Sequence, residues 1–203
     1  MFETIKAGGL IMIPLFICGI IATYIIIERC IYFYKIKKSD AQLMNSVNAS
    51  LANRDYESCS SACVMAGTPL AQVIKKALDY RRYDEADVKE LVEAEMDFVI
   101  PKLEHLITPL GTIANIATLL GLLGTVTGNI KAFGVLGAGG TMGDPALLAG
   151  AIAEALVTTV AGLSISIPSL IFHNYFVSKV NRCIVEMEAH VTSMMLKLSG
   201  RII

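Results

Sequence analysis

Three long runs of the chain are almost free of charge, and the polar and charged residues collect between and after them. The first run is Gly8 to Ile27, closed by Glu28-Arg29. The second is Leu106 to Ile130, closed by Lys131. The third is Ala146 to Phe172, whose single ionisable residue is Glu154. A helix rises about 1.5 Å per residue, so each run is long enough to cross a hydrocarbon core of about 30 Å. The pattern therefore predicts an all-α integral membrane protein with three transmembrane helices, the second and third extended beyond the bilayer. The first run is too long for a signal-peptide core, and no small-residue cleavage site follows it, so it is expected to be an anchor. It has no polar stripe, which places it on the lipid-facing outside of a bundle.

Between the first two runs, apolar residues recur at helical spacing in pieces. Leu43, Val47 and Leu51 form one piece; Leu70, Val73, Ile74, Ala77 and Leu78 form another. Gly67-Thr68-Pro69 separates them. A further helix is expected from about Asp84, with Val88, Leu91, Val92, Phe98, Val99, Leu103 and Leu106 on roughly one side and acids in its first turns. It is expected to lead into the second run, with Pro101 and Pro109 as kinks. Phe133 to Gly143 reads as a glycine-rich loop. Asp144-Pro145 is a helix start, an N-cap acid followed by proline. After His173, the residues Val180, Ile184, Met187, Val191, Met194 and Leu198 make a heptad-like stripe on a continuation of the third helix.

Lysines and arginines follow the first run (Arg29, Lys35, Lys37, Lys38) and the third (Lys179, Arg182, Lys197, Arg201), whereas only Lys6 precedes the first. The positive-inside rule then puts the N-terminus outside and the C-terminus in the cytoplasm. The expected organisation is 1–28 for the periplasmic N-terminus and first span, 29–105 cytoplasmic, 106–131 the second span, 132–144 a short periplasmic loop, 145–173 the third span and 174–203 a cytoplasmic C-terminal helix. In a bacterium this is a multi-pass protein of the inner membrane.

Composition narrows the function. The chain is 54% hydrophobic with mean hydropathy +0.60, outside the usual range of a soluble domain. Its net charge of -1 gives no basis for nucleic-acid binding. Cys59 and Cys63 share a helix face without a histidine beside them, so packing is expected rather than a metal site. No nucleophile–base pair and no phosphate loop stands out, so neither an enzyme nor a cofactor is expected.

Candidate chemistry lies in the second and third runs. Glu154 falls roughly 12 Å inside its helix, where a carboxylate needs a protein, water or partner to face. At that depth it is a candidate to bind and release protons. Gly111, Asn115, Thr118, Leu122, Thr125 and Asn129 step by four and three and form one stripe, small or polar except at Leu122. Gly121, Gly124 and Gly128 form a second stripe, expected to serve close helix packing. Thr118 and Thr125 fit either packing or a water-lined path. Thr158 shares the face of Glu154, and Thr159, Gly162 and Ser166 lie on an adjoining face. Pro168 is expected to bend the third helix, with Ser164 and Ser166 helping to satisfy the freed backbone. Three helices cannot enclose a polar path alone, so a ring of identical subunits is expected, with the second and third helices inward.

IATLLGLLGTVTGNIKAF (Ile116–Phe133), AIAEALVTTVAGLSISIPSLIFHNYF (Ala151–Phe176) and GTPLAQVIKKAL (Gly67–Leu78) resemble the ExbB/TolQ/MotA proton-channel family, and the three-span layout resembles its ExbB/TolQ branch. The resemblance implies a proton-motive-force-driven motor subunit. It implies a homopentamer with a single-span partner of the ExbD/TolR type in its pore. It also implies coupling to a TonB-like or TolA-like protein, for uptake across the outer membrane or for the Tol–Pal system. By motif position it assigns the ion pathway to Thr125, Glu154 and Thr159, with Thr158 as a neighbour. Where the family often has proline before LLGLLGTV, this chain has Thr118. Two other readings of the residues stay open: a secondary transporter subunit with Glu154 as coupling-ion site, and a structural membrane scaffold.

Overall fold

The computed structural model describes residues 9–138 and 145–198. Among these residues every regular element is an α-helix: α1 (Met12–Ala52), α2 (Tyr56–Ala66), α3 (Pro69–Asp79), α4 (Glu85–Glu104), α5 (Ile107–Ala138) and α6 (Pro145–Leu198). Among the described residues three helices are long and apolar enough to cross a membrane: α1, α5 together with the helix that precedes it, and α6. The chain divides into two compact units. One holds 9–28 with 106–138 and 145–175; the other holds 29–105 with 176–198.

In the first unit, α5 and α6 form an antiparallel hairpin, and the start of α1 packs on it. Met12, Leu15 and Ala117 make a small core, with Leu120, Ala161 and Ile165 around it. Pro14 falls in the first turn of α1, where its missing N–H has no partner to lose. The opposite side of α1, including Ile13, Ile17, Ile20 and Tyr24, is exposed.

The second unit is built on α3. Leu70, Val73, Ile74, Ala77 and Leu78 are all at most 2% exposed, as their spacing predicts. The break before α3 works residue by residue. Gly67 closes α2 in the left-handed region at φ 59°, a conformation glycine adopts without steric cost. Thr68 caps α3 by accepting from Ala71 N at 3.2 Å, and Pro69 takes the first helical position. On α6, Val180, Met187, Val191 and Met194 of the stripe read from the sequence are buried and Ile184 is half-buried; Phe176, one turn earlier, is buried as well, and the Leu198 side chain lies outside the described residues. Phe176 stacks on Phe33 of α1 with ring centres 5.9 Å apart. Cys59 and Cys63 are buried, and burial pushes the Cys63 thiol up to about 11.

Four details differ from the sequence pattern. First, α4 buries Val88, Val92, Met96, Val99 and Leu103, whereas Phe98 is 66% exposed. Steps of four, four, three and four select Met96 and leave Phe98 on the other side, under the ammonium of Lys102. Second, α4 and α5 are not one kinked helix. The helix stops at Glu104, and Leu106 adopts φ 66°. Pro109 explains the break: it has no N–H for the His105 carbonyl, and its ring occupies that space. Pro101 stays inside α4. Third, the loop expected over 132–144 does not start at 132, since α5 continues to Ala138 through Gly134 and Gly137. Residues 139–144, with the expected Asp144 cap, lie outside the described residues. Fourth, Ser164 Oγ donates to Val160 O, and Ser166 Oγ shares a hydrogen bond with Thr118 Oγ1 across the hairpin, in place of the expected service to the backbone at Pro168.

Candidate functional site

The α5–α6 hairpin is joined along its length by a series of contacts whose residue numbers rise on one helix as they fall on the other. At one end, His173 Nδ1 lies 2.9 Å from Ile107 O, and the imidazole covers Gly111. Thr118 Oγ1 comes next, 2.6 Å from Ser166 Oγ. Gly121 then meets Gly162 almost backbone to backbone: a Cβ built on Gly162 would lie 2.6 Å from Ala117 O and 3.0 Å from Gly121 Cα. Thr159 Oγ1 donates to Gly121 O at 3.0 Å, an interhelical bond made possible by that approach. Thr158 sits in the hollow left by Gly124, and Ala155 in the one left by Gly128. The glycine stripe thus serves packing within the chain, as its spacing suggests.

At the far end, Lys131 Nζ lies 2.6 Å from Glu154 Oε1. This is a charge-assisted hydrogen bond at the short end of the usual range. The Glu154 side chain is 26% exposed and that of Lys131 57%. Gly9, at φ 65°, approaches so closely that a Cβ there would collide with the Glu154 carboxylate. Glu154 therefore has a counter-ion and a backbone neighbour, and is not an isolated acid on an apolar helix. Lys131 is the partner the sequence reading missed, having served there only to close the second run. The antiparallel register could have found it. Lys131 lies seven residues before the end of α5 and Glu154 nine after the start of α6, which brings them to a similar height.

The five residues singled out in the sequence take different positions. Thr158 is 1% exposed, and its hydroxyl donates to Ala155 O at 2.8 Å. Thr159 is half-buried, between Gly121 O and Ala155 O. Thr118 bridges to Ser166 and also bonds Ala114 O at 3.2 Å, within its own helix. A proline there could not make the backbone bond to Ala114 that keeps this turn of α5 helical. Thr125 donates to Leu122 O at 2.6 Å. Asn115, Leu122 and Asn129 are exposed and Thr125 is half-buried, so these members of the stripe lie on the open side of α5, while Thr118 reaches Ser166, Gly111 meets His173 and the second glycine stripe faces α6.

The fold and site define a class: a helical membrane protein whose close-packed hairpin carries a charged pair within an apolar region and leaves a polar stripe on its surface. The comparisons with known proteins agree. Residues 65–189 match the MotA/TolQ/ExbB proton channel family, and the chain belongs to that family. It is 31% identical to the protein named ExbB-like 3 of Synechocystis, over 84% of this chain and 81% of that one. It is 28% identical to the biopolymer transport protein ExbB of Neisseria meningitidis serogroup A, over 84% of each chain. It is 31% identical to the biopolymer transport protein ExbB of Aquifex aeolicus, over 66% of this chain and 87% of that one. The role supported at family level is that of an ExbB/TolQ-like proton-channel protein of a membrane.

Proposed function

We propose that this chain is the pore-forming subunit of a proton-motive-force-driven motor in a bacterial inner membrane. A homopentamer would enclose a single-span partner of the ExbD/TolR type, conduct protons with it, and pass energy to the outer membrane through a TonB-like or TolA-like protein. The observation that carries this reading is the open polar stripe on α5. Asn115, Thr125 and Asn129 lie along an apolar helix on a side that α6 does not cover, and such a stripe needs a polar surface or water to face.

In this reading Glu154, with Lys131 beside it, is the ionisable group of the pathway, and Thr125 and Thr159 line it. Thr118 and Thr158 hold the hairpin in register, Thr118 through Ser166 and Thr158 by filling the hollow at Gly124. The N-terminus is periplasmic, the segment 29–105 and the C-terminus are cytoplasmic, and α1 faces lipid. The names of the ExbB relatives favour biopolymer transport as the process energised.

Native mass spectrometry of the chain purified in mild detergent from its own membranes tests the assembly. The expected result is a ring of about five copies carrying a small single-span protein, as the family resemblance implies. A monomer or dimer without partner, reproduced under gentler extraction, would leave the stripe without a pore to line and return the weight to a transporter or scaffold.

A further inference from the structure

In the unit formed by 9–28, 106–138 and 145–175, the start of α1 lies along α6. A Cβ built on Gly19 would stand 3.3 Å from Ile165 Cδ1, and one built on Gly9 would run into the carboxylate of Glu154. Positions 9 and 19 of the first span thus meet 154 and 165 of the third, so the two helices run in the same direction. Met12 and Leu15 are buried in the core they form with Ala117. The turn that enters α1 is closed by Met12 N, which donates to Gly9 O at 3.2 Å, and by Ile13 N, which donates to Leu10 O at 3.3 Å. The packing of α1 therefore holds this turn in place, against the single ionisable residue of the third run.

Two observations single out this contact. The first is a comparison of two glycines. Gly9 and Gly67 both have positive φ, 65° and 59°, which glycine adopts without steric cost. Nothing lies within 4 Å of a Cβ built on Gly67, so its backbone conformation alone explains the residue there. At Gly9 the Cβ would collide with Glu154 Oε1 and would also lie 3.2 Å from Cδ and 3.8 Å from Cγ. The carboxyl end of Glu154 fills the space that a side chain at residue 9 would take. The second observation is a shared oxygen. Glu154 Oε1, which Gly9 approaches, is also the atom that Lys131 Nζ reaches at 2.6 Å. With both neighbours in place the Glu154 side chain is 26% exposed, against 57% for Lys131. Excluding water from a charge-assisted hydrogen bond strengthens it.

We propose that Gly9 is a positioning residue for Glu154: the turn entering α1 holds the carboxylate on Lys131 and shuts bulk water away from it. The first span is then more than an anchor, since its end covers the acid. This rests on the proposed function only in taking Glu154 for the ionisable group of the pathway. The cover itself is a matter of chemical access and is tested without any ion flow, so the two readings fail separately.

The test is a competition for the activated carboxyl, in the full-length chain in its own membranes. Dicyclohexylcarbodiimide, which enters apolar regions, adds to the protonated Glu154 carboxyl to give an O-acylisourea. An amine then forms an amide and releases dicyclohexylurea. Lys131 Nζ is already in place, whereas taurine added in the water has to pass the turn. Peptide mapping by mass spectrometry compares the Lys131–Glu154 cross-link with the taurine adduct of Glu154. In the wild type the cross-link is expected to exceed the adduct at least tenfold. Gly9→Ala and Gly9→Asn should each lower this ratio at least threefold. Asparagine accepts a positive φ better than alanine but carries the same Cβ, so an effect of both assigns the cause to the contact and not to backbone strain. Leu10→Ala, at a side chain that is 83% exposed, should leave the ratio unchanged. A wild-type chain that gives mostly taurine adduct overturns the proposal, and that result needs no variant to fold. So does a Gly9→Asn chain with the wild-type ratio, or an adduct yield that is equal in all the chains, nil included.

Discussion

Lys131 Nζ lies 2.6 Å from Glu154 Oε1 and ties together the ends of α5 and α6 that lie farthest from His173. In an apolar surrounding each charge relies on the other, and removing one leaves its partner without a counter-ion. Lys131→Met and Glu154→Gln are each predicted to lower proton-coupled activity more than tenfold. Their effects on thermal stability in detergent should be less than additive when combined. The exchange Lys131→Glu with Glu154→Lys should recover stability without activity, because the acid then sits on the wrong helix. A double-mutant cycle checks this, and strict additivity would refute the coupling.

The fit of Thr158 into the hollow at Gly124 leaves no room for a larger residue. Gly124→Val is predicted to destabilise the hairpin by about 1–3 kcal/mol, the usual cost of overpacking. Gly134→Val, at a position open to its surroundings, should be close to neutral by comparison. Melting temperatures of the two variants measured together decide whether the effect belongs to the packing site.

Thr118 and Ser166 share a hydrogen bond of 2.6 Å. Interhelical bonds of this kind within membranes contribute about 0.6 kcal/mol. Thr118→Val is therefore predicted to cost little stability and to keep most activity, whereas Thr125→Val should assemble and lose activity. Equal loss in both would place Thr118 in the path as well.

Thr68 caps α3, the helix on which the second unit is built. Thr68→Ala is predicted to cost about 1 kcal/mol. Amide hydrogen exchange should show the loss first at Ala71, whose N–H donates to the Thr68 hydroxyl. Unchanged protection there would mean that packing alone holds the start of α3.

Burial raises the Cys63 thiol from 9.0 to about 11, with the nearby Cys59 adding to the rise. A raised folded pKa means that the unfolded chain loses this proton first. The corresponding stability is fully present below pH about 9 and is lost as the pH rises toward about 11. Cys63 should accordingly resist alkylation at pH 8, while the exposed Cys30 reacts. Reaction of both at similar rates in the folded protein would contradict this.

The helices were legible in the sequence because their signals are local. Charge-free runs marked the three spans, and Gly67, Thr68 and Pro69 each occupy the slot their backbone chemistry favours. The break at His105-Leu106 was half legible: Pro109 was seen, but whether proline bends or stops a helix depends on the packing around it. Phe98 went to the wrong face because a seven-residue list tolerates one misfit that a strict three-four step does not. In the candidate site, Glu154 was legible as a charge where charge is costly. Its pairing with Lys131 was not, because that requires the register of two helices across a glycine-rich connection. The separate roles of the threonines were hidden for the same reason: each can hydrogen-bond its own helix or its neighbour, and only the packing decides.

The most direct test of the account is proton entry into cells that produce this chain together with the proposed single-span partner, followed with an internal pH indicator after a pulse of external acid. The account predicts that the wild-type pair acidifies the cytoplasm faster than either protein alone, and that Glu154→Gln abolishes the difference while the proposed ring still assembles. An assembled Glu154→Gln ring that passes protons at the wild-type rate would contradict it.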